Sequence, residues 1–136
     1  MDWFAFQTGA TAFIIAFAAA SAFFVAFKFI YQIVTPYHES SLIRQGNAAA
    51  AVSLGGALIG FVLPLASALS QTVSLPEFAA WALLAGVIQI VSFIVVSRLV
   101  YKALAARIEA GEMAAAIYMA SISIGVGLLN AACMTA

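Results

Sequence analysis

Charge is what this sequence has least of. Five Lys or Arg and five Asp or Glu stand among 136 residues, 7% of the chain, against about a quarter in ordinary soluble domains. A soluble fold of this length could not hide a composition that is 66% hydrophobic, so lipid must be the solvent. The net charge of zero and the lack of any basic run argue against nucleic-acid binding. One cysteine and one histidine exclude a self-contained zinc or iron–sulfur site of the usual kinds. The cysteine, Cys133, cannot close a disulfide within the chain. It is read as a small buried filler, with an intersubunit bridge as the alternative. His38 in a loop carries no argument. There is no HExxH, no phosphate loop and no nucleophile–base–orienter set, so neither an enzyme nor a cofactor is expected. No basic residue precedes the first apolar run, which outlasts the roughly 7–15 residues of a signal-peptide core, so that run is expected to remain as a helix.

The few charges that exist fall in clusters, and the clusters cut the chain into four long apolar runs. Residues 10–34 hold only Lys28, and residues 45–76, 78–97 and 113–136 hold no charge. Crossing a hydrocarbon core about 30 Å thick takes about 20 apolar residues in a helix. All four runs reach that length. The expected fold is an all-α integral membrane protein of four transmembrane helices, a single membrane domain over residues 1–136. Lys28, Arg44, Arg98, Lys102 and Arg107 all flank or occupy the first loop (35–46) and the third (101–111). The positive-inside rule therefore puts those loops in the cytoplasm and both termini outside it. Loop chemistry agrees with these spans. Thr35-Pro36 should end the first helix. Residues 39–45 could form a short interfacial turn stopped by Gly46, with Asn47 capping the second helix. Ser74-Leu75-Pro76-Glu77 reads as a capping box opening the third.

Shifting the chain by 65 residues lays Gly46-Asn47-Ala48-Ala49-Ala50-Ala51 over Gly111-Glu112-Met113-Ala114-Ala115-Ala116, and Gly60 over Gly125. The expectation is two tandem two-helix repeats, residues 8–71 and 74–135, related by an axis along the membrane normal. Helices two and four carry small residues at i, i+4 spacing: Gly56 with Gly60, Ser121 with Gly125, Ser123 with Gly127. Such residues let backbones approach closely. The first helix lies in a region with eight of the eleven phenylalanines. Helices two and four are therefore placed at the centre, packed through Gly56, Gly60, Gly125 and Gly127, with helices one and three outside.

Four residues are candidates for a polar site. Pro64 frees the carbonyl of Gly60 within helix two. Its repeat equivalent adjoins Asn130, and interrupted helices at matching positions point to membrane binding sites. The preferred reading is plainer: a packing kink, with Asn130 bonding across to helix two. Gln89, at the middle of helix three with Ser92 one turn later, is read first as an interhelical tie and second as part of a polar path. Lys28 lies about 9 Å from the end of its helix. It is read as snorkelling to the headgroups in preference to lining a pore. No Asp or Glu lies deep in a span, which argues against proton-coupled antiport.

Thr35-Pro36 with Glu39 and Leu42-Ile43, then Asn47, Gly60, Pro64-Leu65 and Ser67-Ala68, resemble the YjfL-type small bacterial inner-membrane proteins. Pro76, Trp81, Ile88-Gln89 and the closing Asn130-Ala131-Ala132-Cys133-Met134-Thr135 extend the resemblance from about residue 30 onward. It implies a multi-pass protein of the bacterial inner membrane and supports two-helix units in tandem. That family is catalogued as a domain of unknown function, so the resemblance carries over no catalytic or ligand residue. The expected function is an oligomeric structural or regulatory component of the envelope, with a small ion or solute channel or transporter as the alternative. Its partners would be membrane lipids, further copies of itself and an unidentified membrane protein.

Overall fold

The computed structural model describes residues 2–100 and 102–135. Six α-helices follow one another: α1 (Trp3–Val34), α2 (Glu39–Arg44), α3 (Ala48–Gln71), α4 (Leu75–Val95), α5 (Leu104–Glu109) and α6 (Met113–Cys133). A π-helical turn, Val96–Val100, continues α4. Among the described residues there is no strand. Among the described residues four helices are long and apolar enough to cross a membrane: α1, α3, α4 with its continuation to Leu99, and α6.

Local chemistry sets the ends of these helices. The Asn47 side chain accepts from the Ala50 N–H at 3.1 Å, and Ser74 accepts from the Glu77 N–H at 3.3 Å. Each satisfies one of the amides a helix start leaves without a partner. The two short helices stop in the same way. Gly46 and Gly111 take φ of +89° and +90°, a region open to glycine because it has no Cβ. After α2, Asn47 N–H donates to the Leu42 carbonyl and Gly46 N–H to that of Ile43. After α5, Glu112 N–H donates to Arg107 and Gly111 N–H to Ile108. Both are Schellman stops.

Helices α3 and α6 share the most extensive contact in the molecule. A Cβ added at Gly56 would fall 2.5 Å from Ala120 Cα, and one at Gly127 would fall 2.7 Å from Gly60 Cα. Backbone touches backbone there, which only glycine permits. Gly125 differs from the other three: a Cβ there would meet nothing within 4 Å. At about 100° per residue, two steps from either Ser123 or Gly127 turn Gly125 to the far side of α6. Cys133 is also displaced from its expected place. It is exposed, not a buried filler, because the row that faces the bundle runs through Ser123, Gly127, Asn130 and Met134, one residue off its position.

Helix α4 packs against both α3 and α6, while α1 packs against α3 and α4. Only the second half of α1 is held. Phe23, Phe27 and Tyr31, spaced by four, present one face. They meet Phe78 edge-on at 5.6 Å, Phe61 stacked at 4.3 Å and Phe93 edge-on at 5.0 Å. Over residues 2–18 of the same region Ala10 and Ala16 are partly buried and the rest are exposed. With 32 residues at 1.5 Å each, α1 is about 48 Å long and outreaches the rest of the bundle.

Candidate functional site

Two groups of buried polar side chains stand out. The first lies at membrane depth, around Gly60. The Gln89 amide, from the middle of α4, donates to the Ser123 carbonyl of α6 at 3.2 Å. Asn130, on α6, donates in the opposite sense to the Ala85 carbonyl of α4 at 3.2 Å. Asn130 thus reaches α4, not α3, while Gly127 one turn earlier packs against Gly60 of α3, so this face of α6 meets both helices. The Ser92 hydroxyl donates back to the Gln89 carbonyl at 3.2 Å, and Ser67 of α3 donates to Ala131 of α6 at 3.4 Å. The Gln89 amide nitrogen lies 2.8 Å from where a Gly60 Cβ would stand, and the Gly60 carbonyl lies against Gly127. That carbonyl is the one Pro64 frees. Pro64, Gln89 and Asn130 therefore belong to a single contact region among α3, α4 and α6. It offers hydrogen bonds between helices, and its Ser67 and Ser92 hydroxyls are spent on backbone carbonyls. Of its side-chain polar atoms only the Gln89 carbonyl oxygen is buried without a partner.

Lys28 takes no part in that region. It is half-buried on α1, with its ammonium 5.1 Å from the centre of the Phe29 ring. Its electrostatic influence reaches instead a second polar group, at the end of the bundle where α2 and α5 lie. Glu39, the first residue of α2, is 1% exposed, and neither of its carboxyl oxygens has a hydrogen-bond partner among the described residues. The hydroxyls of Tyr31 (last turn of α1), Tyr37 (the connector) and Ser53 (second turn of α3) are likewise buried and make no hydrogen bond of good geometry, although Ser53 lies near enough to both phenols to act on them. Burial pushes the Glu39 carboxyl up from 4.5 to about 7. The neighbouring Thr35 and Gln32 side chains and the Lys28 charge pull it only partly back. Burial also pushes the Tyr37 phenol up to about 12, against the opposing influence of Ser53. Thr35 is occupied locally, donating to the carbonyls of Gln32 at 3.1 Å and Tyr37 at 3.3 Å. Beside the group a cleft of about 430 Å³ is lined by Gln32, Thr35, Tyr37 and His38.

Sequence reasoning missed this second group. Thr35-Pro36 reads as a helix end and Glu39 as the start of a short interfacial turn, and no periodicity crosses the break to say which side chains it buries. Its burial follows from α2 folding back onto α3, a tertiary event. The nearest signal is compositional: one acidic residue between two tyrosines upstream and a serine on the following span. Elsewhere at this end Arg107 and Glu112 form an exposed ion pair at 2.7 Å. Hydrogen bonding holds the Glu112 carboxyl below its ordinary range. Among the described residues no group of three or more His, Cys, Asp or Glu is placed to hold a metal ion.

The chain matches the family model described as Domain of Unknown Function (DUF350) over residues 5–134. It is similar to the UPF0719 inner membrane protein YjfL of Escherichia coli strain K12, with 41% identity over 114 residues, 84% of this chain and 86% of the relative. The protein of the same description from Escherichia coli O157:H7 matches to the same extent. No solved structure matches.

Proposed function

The chain belongs to the DUF350 family and is a multi-pass protein of the bacterial inner membrane, and from that premise we propose an oligomeric structural or regulatory component of the envelope. One observation carries this reading. At membrane depth the amide donors of Gln89 and Asn130 are closed onto carbonyls of neighbouring helices. Polar side chains bound in this way hold a bundle together, whereas a conducting path needs them free to replace an ion's water. The alternative, a channel or transporter, would then have to form between subunits.

Three further elements belong to the proposal. Two tandem two-helix units are supported by the 65-residue offset that relates α2 to α5, Gly46 to Gly111 and the start of α3 to that of α6. An arrangement with both termini outside the cytoplasm is supported by the grouping of all five Lys and Arg around the α2/α5 end. Self-association and lipid contact are supported by the apolar surface the bundle leaves uncovered. That surface includes the first half of α1 and a groove of about 300 Å³ between α1 and α4, lined by Phe23, Phe27, Phe61 and Val87. An acyl chain fits the chemistry of that groove.

The test is native mass spectrometry of the protein released from lipid nanodiscs, paired with ion-flux measurements in proteoliposomes. The proposal expects two or more copies with retained lipid, and flux no higher than in empty vesicles. A monomer without flux would remove the oligomeric part. A closed ring that conducts, with conduction altered by Gln89→Ala, would replace the proposal with the channel.

A further inference from the structure

The oxygens buried at the α2/α5 end lack well-formed hydrogen bonds within the protein. Buried polar groups are nearly always hydrogen-bonded, and an isolated buried carboxylate costs far more than a neutral group. Here the Glu39 carboxyl and the hydroxyls of Tyr31, Tyr37 and Ser53 are all buried without a well-formed hydrogen bond among the described residues. Tyr31, Glu39 and Ser53 are no more than 1% exposed. They come from four consecutive pieces of chain: α1, the connector, α2 and α3. Tyr37 also lines the cleft, which ends short of the buried oxygens.

We propose that Glu39, Tyr31, Tyr37 and Ser53 form a binding site for a monovalent alkali cation. All the donors are hard oxygens, which disfavours transition metals that prefer nitrogen and sulfur. A single carboxylate balances a single positive charge. Calcium sites usually gather more carboxylate oxygens, and magnesium holds to octahedral geometry with much of its water. The charged groups facing the site are few. Lys28 on α1 acts on the Glu39 carboxyl without forming an ion pair with it, and Glu109 on α5 acts on Tyr37. Neither occupies the carboxylate; the Thr35 and Gln32 side chains stand beside it and favour its charged form, and a proton competes with the cation for it. Occupancy would tie α2 to α1 and α3 and so set how firmly this end of the bundle is closed. The site goes beyond the proposed envelope role and stands whether or not the protein self-associates.

The test uses the full chain in nanodiscs at pH 8.5. Sodium or potassium chloride replaces choline chloride stepwise at constant ionic strength, and the thermal midpoint is followed. A ligand that binds only the folded state raises that midpoint in a saturating way. The expected result is a rise of about 3 °C or more with sodium or potassium, absent in Glu39→Gln. In Tyr37→Phe the half-saturating concentration should rise about tenfold or more, the loss of roughly one good ligand contact. Tyr37→Phe, which keeps the carboxylate and the ring, serves if Glu39→Gln does not fold, and sodium-23 line broadening reversed by potassium reads binding directly. Three results would overturn the proposal: a midpoint indifferent to which cation is present, a cation effect unchanged in both variants, or a response to pH alone, which would make a proton the occupant.

Discussion

The region around Gly60 and the region around Glu39 are both polar and both buried, yet the first closes its amide donors onto carbonyls while the second leaves most of its oxygens without well-formed bonds. Around Gly60, Gln89 and Asn130 each donate to a carbonyl of the facing helix. Around Glu39, four side chains from four pieces of chain act on one another, yet their oxygens make no hydrogen bond of good geometry. The first pattern is what a membrane interior demands, where a polar group left without a partner costs several kcal/mol, or roughly that. The second occurs at the bundle end, beside a cleft, where an outside group can complete it. Burial therefore does not distinguish a tie from a site. The state of the donors and acceptors does.

The contrast can be broken most forcefully at the tie region. Gly127→Ala sets a Cβ against the Gly60 backbone, where neither partner is a flexible side chain. It should cost more than about 3 kcal/mol, at or beyond the usual range for overpacking, measured as loss of folded protein in a denaturant titration in mild detergent. Gly56→Ala should behave similarly against Ala120.

Next in size is the pH response of Glu39 in choline salts. Its folded value, about 7, lies above the ordinary 4.5, so the folded state binds the proton more tightly than the unfolded state. The stabilising contribution is complete below pH 4.5, falls as pH rises, and is lost once pH passes 7. The span corresponds to on the order of 3 kcal/mol. Unfolding midpoints between pH 4 and 8 should show that decline, and Glu39→Gln should flatten it.

Asn130→Ala removes one interhelical hydrogen bond and should cost about 1 kcal/mol, the scale measured for such bonds in membrane bundles. Its combination with Gln89→Ala should be close to additive in a double-mutant cycle, because the two donors use different carbonyls. The smallest effect is expected at Gly125→Ala. The added methyl group meets nothing within 4 Å, and stability should stay within about 0.5 kcal/mol. A larger loss accompanied by weaker self-association would place an interface on that face of α6.

Much of this molecule is legible along the chain. Proline, glycine and capping residues mark helix ends one residue at a time, so α2, its Gly46 stop and the Asn47 and Ser74 caps can be read locally. Gly56, Gly60 and Gly127 are visible as small residues at helical spacing. Their separation from Gly125 is less legible, because a spacing of four marks a face without saying which face is covered. The partner of Asn130 was misread for a related reason: an amide announces that it must bond, and only the docking of α4 decides where. Glu39 was the least legible. Its surroundings are assembled across a chain reversal, and local pattern shows a short interfacial turn there without showing what it folds onto.

What the sequence by itself determined is that this is a membrane protein of four spanning helices, and roughly where each span begins and ends. The reason is that the bilayer imposes one length and one polarity on every span, and both can be counted along a chain. What only the tertiary structure decided is which buried polar groups are satisfied within the protein. Hydrogen bonding depends on separations of about 3 Å and on angle, and those are settled when helices distant in sequence come to rest against one another.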